Sequence, residues 1–377
     1  MSSLQRVLII GAGITGLTAA VALRRAGSSV EVIEIRNNVA EQAGVGLSLL
    51  GNALGALGRL GLAAACLRVG VPGNYLNTRR PDGTLIARAP VLPMGGPAYP
   101  GLAGIKRKDL HAVLLRALAA SGASLQEGVT VQSFQQRDED VEITLSDGRR
   151  GRYDLVVAAD GLYSRTRAEL FPGCAPAFDG QAVWRAGVPR PKGNYVTELH
   201  FGGPFGVVGL CPVSEDSAYL YIVEQASRSE RHEGPSAITT MREKLSAYSS
   251  PLICAAAEHL PESTSVSFRP LESLLIPDRW YQGRVLVIGD AAHCGPPVLA
   301  QGAAMGIEDA VVLGELAASE LPVPELLDRF MQRRLPRAEM VVRNSRQLCE
   351  WEVTHQATPE LVGKVMLDTN IALSRPF

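Results

Sequence analysis

Residues 6–34 read RVLIIGAGITGLTAAVALRRAGSSVEVIE. Arg6–Ile10 is a continuous apolar run, the pattern of a parallel strand buried on both faces. A glycine loop, Gly11–Gly16, follows, and the Ala/Leu-rich segment from Ile14 to about Ala26 has the composition of a helix. Gly27 punctuates its end and Ser29–Ile33 is the next strand, so the stretch predicts a βαβ unit. In that setting Gly11 permits the tight turn, Gly13 lets backbone approach a pyrophosphate, and Gly16 allows close helix–strand packing. Glu34 closes the second strand, placed to accept hydrogen bonds from ribose hydroxyls; its charge repels a 2′-phosphate. The unit predicts a dinucleotide site that takes the adenosine of FAD or NAD.

Two distant segments bear on the choice. Ala159-Asp160-Gly161 ends the apolar strand Leu155–Ala159, and Gly289–His293 ends another, Arg284–Ile288. Ligands of open α/β sheets sit beyond the carboxyl ends of the strands. An acid at Asp290 can accept a ribityl hydroxyl, and a helix starting near Gln301–Gly302 can present amides to a flavin carbonyl. Taken singly, Asp290 also reads as a helix cap and Asp160-Gly161 as a turn. Together with the glycine loop, these segments favour a flavin.

The 377 residues suffice for two packed domains, and 46% apolar with 20% charged residues is ordinary for a globular protein. A net charge of −1 and only 5% aromatic residues give no footprint for nucleic acid. The six cysteines form no CxxC or metal-like cluster, so no metal site is expected and free thiols in a reducing cytosol are the reading. No apolar run reaches the length of a membrane span, and a soluble cytoplasmic protein is expected.

Asn74–Arg88 has hairpin chemistry with Asp82-Gly83 at its turn, and Lys106–Gly122 reads as a helix with Leu110, Val113, Leu114 and Leu118 on one face. From about Gly180 to Phe268, the stretches Trp184–Val188, Val196–Phe201, Gly206–Cys211 and Ala218–Val223 are strand-like. The expected fold is α/β: a Rossmann-type FAD-binding domain with an inserted, mainly antiparallel β-sheet substrate domain and a C-terminal helix. The expected boundaries place the FAD-binding domain at 1–73, 99–179 and 269–324, and the substrate domain at 74–98 and 180–268. Residues 325–377 form a C-terminal helical segment, interrupted or kinked at Pro336.

The chain resembles the class A, single-component FAD-dependent aromatic hydroxylases, the group of para-hydroxybenzoate and salicylate hydroxylases. The resemblance spans nearly the whole chain. It rests on GAGITGLTAAVALRRAG followed by VEVIE, on KRKDLHAVLLRAL, on YDLVVAADGLYSRTR and on GRVLVIGDAAHCGPPVLAQGAAMGIEDA. The tail RRLPRAEMVVRNSR is similar to the salicylate-hydroxylase branch. The resemblance implies that Gly11, Gly13, Ile14, Thr15, Gly16, Glu34 and Arg36 hold the ADP half of FAD, with Arg107 beside the pyrophosphate or ribityl chain. It implies that Asp160 and Gly161 serve both FAD and a nicotinamide nucleotide, and that Asp290 binds ribityl. Pro297, Gln301, Gly302 and Ala303 would border the isoalloxazine. Ala300 stands where the family usually has the first glycine of a GQG turn, and His293 belongs to a structural turn rather than to a flavin attachment site.

The function implied is a monooxygenase in which NADH or NADPH reduces FAD and molecular oxygen forms a flavin hydroperoxide that hydroxylates an aromatic or N-heteroaromatic small molecule. Alternatives on the same scaffold are a flavin epoxidase, a halogenase or an oxidase; another is a flavin- or ligand-binding protein without turnover. The WxWxIP element of halogenases and a second GxGxxG unit are both absent. His200, Tyr219 and Tyr221 are the candidate catalytic residues, because they lie on adjoining candidate strands and Tyr219 and Tyr221 share a face by alternation. Arg185 is a candidate anchor for a substrate anion, and Pro297 with Val298 a candidate apolar wall. A monomer or homodimer is expected.

Overall fold

The computed structural model describes residues 4–41, 44–260 and 266–377. A six-stranded sheet has the order Tyr281–Gln282, Val285–Val287, Leu155–Ala158, Arg6–Ile10, Ser29–Glu34, Ser124–Glu127. All neighbours are parallel except the first pair. Its register puts Ile10 level with both Ile33 and Ala158, and Ala158 level with Val287. The four segments singled out in the sequence therefore leave the sheet at one edge. The strands are short and their central residues apolar and buried, as in parallel sheets covered on both faces.

A second sheet of eight strands has the order His293–Cys294, Ser267–Leu275, Ala177–Pro189, Ser217–Gln225, Val207–Pro212, Thr197–His200, Tyr75–Arg79, Leu85–Pro90. Only Thr197–His200 and Tyr75–Arg79 pair in parallel. The hairpin turns at Asp82-Gly83, where Gly83 has φ +91° and Asp82 accepts the Thr84 amide. Ala177–Pro189 starts ahead of the expected boundary at 180, Ser267–Leu275 runs past 268, and His293–Cys294 brings a piece of the expected nucleotide domain into this sheet. One face packs Trp184, Val208, Leu220 and Ile222 against two helices, Gly234–Leu245 and Pro251–Glu258. Ala237, Met241 and Leu245 recur every four residues, a helical stripe that the strand-based reading of this region passed over.

Val323–Thr354 is one helical span of 32 residues, with Pro336 inside it rather than interrupting it. A proline in a helix interior costs about 3 kcal/mol. Bonds made by the residues flanking Pro336 offset that cost. Arg334 is fully buried and donates to Asp309 Oδ1 at 2.8 Å, Glu308 Oε2 at 2.7 Å and the Met305 carbonyl at 3.2 Å. Arg337 donates to both oxygens of Glu308, at 2.6 and 3.0 Å. Glu308 and Asp309 lie on the helix Gly302–Ala317 and are themselves fully buried. A further helix, Pro359–Leu373, folds back so that its last carbonyls accept from Arg337.

Removing one partner from a buried ion cluster strands the other charges, at a cost of about 3–5 kcal/mol. Arg334→Ala is expected to lose stability on that scale in denaturant unfolding. Acid should act through the same cluster. Burial opposes ionisation of Asp309, but His293 and Arg334 beside it hold its carboxyl down at about 2, below the ordinary 3.8. A depressed folded-state value stabilises above the unfolded one, so this contribution is present above pH 3.8 and drains away as pH falls from there through about 2. Unfolding followed across that window in wild type and Arg334→Ala checks it: the variant should have a shallower slope, the remainder coming from His293.

Candidate active site

The three glycines of the first loop divide their work sterically. A Cβ on Gly16 would stand 2.0 Å from the Gly11 carbonyl oxygen, and one on Gly11, at φ +102°, 2.5 Å from that of Ala159. Both are places where backbone touches backbone. A Cβ on Gly13 would meet nothing within 4 Å, and the same holds for Gly161. A Cβ on Gly302 would meet only Asp290 Oδ1, at 3.8 Å. These open positions lie on three distant segments that touch one another at the carboxyl edge of the parallel sheet, Gly11 against Ala159 and Asp160, and Gly289 against Thr15.

The polar groups around that space are aimed but underused. Glu34 is 8% exposed and accepts the Ala12 amide at 2.9 Å and the Arg36 amide at 3.0 Å. Two amides leave about half of a carboxylate's acceptor capacity for ribose hydroxyls. His111 fixes the same loop from beneath, donating from Nε2 to the Ala12 carbonyl at 2.8 Å. Asp160 uses Oδ2 on Thr166, while its Oδ1 is buried without a partner. Asp290 is exposed and has no side-chain hydrogen bond or ion pair among the described residues. Arg36 and Arg107 are exposed. Ile14 is buried, and Thr15 stands where a Cβ on Gly289 would touch its Oγ1 at 2.7 Å, tying the glycine loop to the Asp290 segment.

The loop before the helix Gly302–Ala317 keeps a left-handed turn even though it carries alanine: Ala300 has φ 52° and ψ 29°. An L-residue there stores roughly 1–2 kcal/mol. Pro297 is exposed, Val298 partly so, and Ala303 half-buried. Gln301 is 2% exposed and turns its amide inward, where Asn52 Nδ2 donates to Gln301 Oε1 at 2.9 Å and to Glu308 Oε1 at 2.8 Å. Only the backbone of Gln301 is left for a cofactor. His293 is 2% exposed, stacks on Trp280 at 4.7 Å and donates to Asp309 at 2.6 Å, so it is part of the scaffold. Cys294 gives its hydrogen to the Glu272 carbonyl, and burial pushes its thiol well above the ordinary range, against a reactive thiolate.

The residues expected on the eight-stranded sheet separate. Side chains alternate, so Trp184, Leu220 and Ile222 face the helices while Arg185, Tyr219 and Tyr221 face the other way. Arg185 Nε donates to the Tyr219 hydroxyl at 3.1 Å, and the two tyrosine rings lie 5.1 Å apart. Burial raises both tyrosine hydroxyls above the ordinary range; Arg185 works against that at Tyr219. Tyr221 lies over Gly209, whose absent side chain would overlap its ring at 2.0 Å. The expectation for His200 needs correcting. Its strand adjoins Val207–Pro212, not Ser217–Gln225, and its cross-strand partner is Val208 of the helix-side core. His200 is fully buried, shares a hydrogen bond with Ser250 at 3.0 Å, and burial lowers its basicity.

One short segment joins the two halves. A Cβ on Gly44 would strike the Arg107 side chain at 2.4 Å, and one on Gly46 would strike Tyr219 Cβ at 2.8 Å. Arg107 and Tyr219 therefore both pack against this short segment. Sequence reasoning passed over Asn52 and Gly209, which carry no motif of their own, and gave no role to His111 inside KRKDLHAVLLRAL. Among the described residues no group of His, Cys, Asp or Glu could hold a metal ion, and no helix is long and apolar enough to cross a membrane.

Residues 5–345 match the family model described as an FAD binding domain. The chain is 32% identical to the aurachin C monooxygenase/isomerase of Stigmatella aurantiaca, over 92% of this chain and 90% of that protein. It is also 32% identical to the 2-heptyl-3-hydroxy-4(1H)-quinolone synthase of Pseudomonas aeruginosa, with the same coverage. Its fold matches Klebsiella pneumoniae HpxO complexed with FAD and uric acid, with a TM-score of 0.84, 23% identity, and 99% and 97% of the two chains covered.

The glycine geometry separates folding from cofactor binding. Gly13→Val adds a side chain where the protein has nothing to clash with, so the variant should fold but be isolated without FAD. Gly16→Val should fail to fold, because its Cβ overlaps a carbonyl. Asp290→Ala should retain FAD weakly, by about 1–3 kcal/mol. Flavin absorbance and circular dichroism of the three proteins check this; a yellow Gly13→Val protein contradicts it.

Proposed function

The chain belongs to the FAD binding domain family, and on that premise we propose that it is a monooxygenase that uses NADH or NADPH and dioxygen to hydroxylate an aromatic or N-heteroaromatic small molecule. The residues fit FAD. Gly11, Gly13, Ile14, Thr15, Gly16, Glu34 and Arg36 would hold the ADP half, and Arg107, Asp160, Gly161 and Asp290 the pyrophosphate and ribityl. Pro297, Gln301, Gly302 and Ala303 would border the ring. When bound, FAD supplies the electrons taken from NAD(P)H and the oxygen activation; ring C–H, dioxygen, NAD(P)H and a proton become ring C–OH, water and NAD(P)+.

The observation that carries the reading is the segment Gly44–Gly46, which packs against both Arg107 and Tyr219. In this reading a pair of half-buried phenols and a guanidinium would lie beside the nucleotide site. Tyr219 and Tyr221 would hydrogen-bond a substrate hydroxyl or carbonyl as donors, because burial keeps them protonated. Two such bonds would fix the ring's orientation, so that one carbon is presented for attack. Arg185 would orient Tyr219 and neutralise an anionic ring. Val298 and the rings of the two tyrosines would keep water out. Substrate class is supported by the names of the relatives, a quinolone synthase and an aurachin C monooxygenase.

The test is NADH and NADPH consumption against phenols, hydroxybenzoates, pyridines, quinolones and purines, with product mass measured. At least one ring should stimulate consumption and gain one oxygen atom; no stimulation by any ring contradicts the proposal. With an effective substrate, Tyr221→Phe should keep its FAD, while product per NAD(P)H falls about fivefold and hydrogen peroxide rises correspondingly. That is the worth of one hydrogen bond of about 1 kcal/mol. Unchanged coupling returns Tyr221 to a packing role.

A further inference from the structure

The long helix reaches the tyrosine face at its far end. Ser345, Cys349 and Glu352 recur at helical spacing on one side of it. Gly295 of the loop before Ala300 packs on Val342 and Ser345, at 3.5 Å from each for an added Cβ. Cys349 Sγ donates to Gln181 Oε1 at 3.0 Å, and Gln181 Nε2 donates to Glu352 Oε2 at 3.1 Å. The Gln225 amide ties the Val353 carbonyl to the same place at 2.6 Å. By alternation along Ala177–Pro189, Gln181 shares its sheet face with Arg185, and their cross-strand partners are Gln225 and Tyr221. Gln181 and Arg185 are four residues, about 13 Å, apart along the strand.

Glu352 differs from the other acids on the helix network. Glu308 and Asp309 each hold an arginine. Glu352 is half-buried, its only hydrogen-bond partner among the described residues is the Gln181 amide, and it has no ion pair there. Oε1 is left with acceptor capacity unused. Burial without a neighbouring cation raises its carboxyl above the ordinary range, and its charge is one of those that push the Tyr221 hydroxyl up. A helix end gains nothing in stability from such a group.

We propose that Glu352, oriented by Gln181, is a specificity-determining residue that accepts a hydrogen bond from a ring N–H of the substrate at the end of the tyrosine face away from Arg185. This rests on the monooxygenase reading and sharpens it. The site then has a cation and two phenols for an oxygen at one end and a hydrogen-bond acceptor at the other. That pattern selects a ring bearing both a carbonyl or hydroxyl and an N–H. An acceptor that a bound ring would cover and leave unpaired penalises an analogue that lacks the donor more than an extra methyl group alone does.

The probes are 4(1H)-quinolone and 1-methyl-4(1H)-quinolone, titrated into holoenzyme and followed by the flavin absorbance change. Wild type should prefer the N–H ring by about tenfold or more in Kd. Glu352→Leu should keep its FAD and compress that preference below about threefold, through weaker binding of the N–H ring. Gln181→Leu should shift it the same way, since Glu352 loses its support; it carries the test if Glu352→Leu is recovered without flavin. A preference unchanged in these variants, or absent in wild type that binds both rings, overturns the assignment of Glu352 and leaves the monooxygenase reading standing. Wild type that binds neither these rings nor any phenol overturns both.

Discussion

Asp309 holds together parts of the chain that have no other reason to meet. One oxygen accepts the Gly289 amide at 3.0 Å and the His293 ring at 2.6 Å; the other accepts Arg334 at 2.8 Å. Its neighbour Glu308 reaches Arg334, Arg337 and Asn52, and Asn52 in turn holds Gln301. The turn after the strand Val285–Val287, the loop before the helix Gly302–Ala317, and the long helix are thereby fixed to one buried pair of carboxylates. Such a cluster is weak evidence for stability, because desolvation takes back much of its Coulomb energy. Its value is positional: every partner is directional, and a shift of any one of them leaves a buried charge unpaired.

That rigidity explains how a strained turn survives beside the cofactor edge. Ala300 sits in a left-handed conformation that glycine would take at no steric cost, yet the residue after it is locked to Asn52. The parallel sheet contributes the other half of the site by register alone, since its strands end level. The eight-stranded sheet contributes chemistry by alternation: one face is closed by helices, and the other presents Arg185, Tyr219 and Tyr221 toward the segment that also touches Arg107. The segment Gly44–Gly46 thus touches both Arg107 and Tyr219, and in the proposed reading it links the FAD site to a ring-binding face.

The nucleotide unit was legible because its signals are local. Gly11 needs a positive φ, Gly16 a missing Cβ, and Glu34 a position at the end of the next strand; all three are read from 29 consecutive residues. That the helix runs on without interruption through Pro336 was not legible for the opposite reason, as the side-chain bonds beside it reach residues 25–29 positions earlier. His200 failed on strand order. Alternation gives the two faces of a strand but not which strand lies beside it, and Val207–Pro212 intervenes. Glu352 and Gln181 carry no pattern at all, since their meeting depends on where a 32-residue helix ends.

The most direct measurement is the origin of the oxygen atom in the product. With the best ring from the panel, turnover under isotope-labelled dioxygen in ordinary water should give a hydroxylated product carrying one labelled atom. Turnover in labelled water under ordinary dioxygen should give none. A product labelled from water, or NAD(P)H consumed with all the oxygen recovered as hydrogen peroxide for every ring tested, contradicts a monooxygenase.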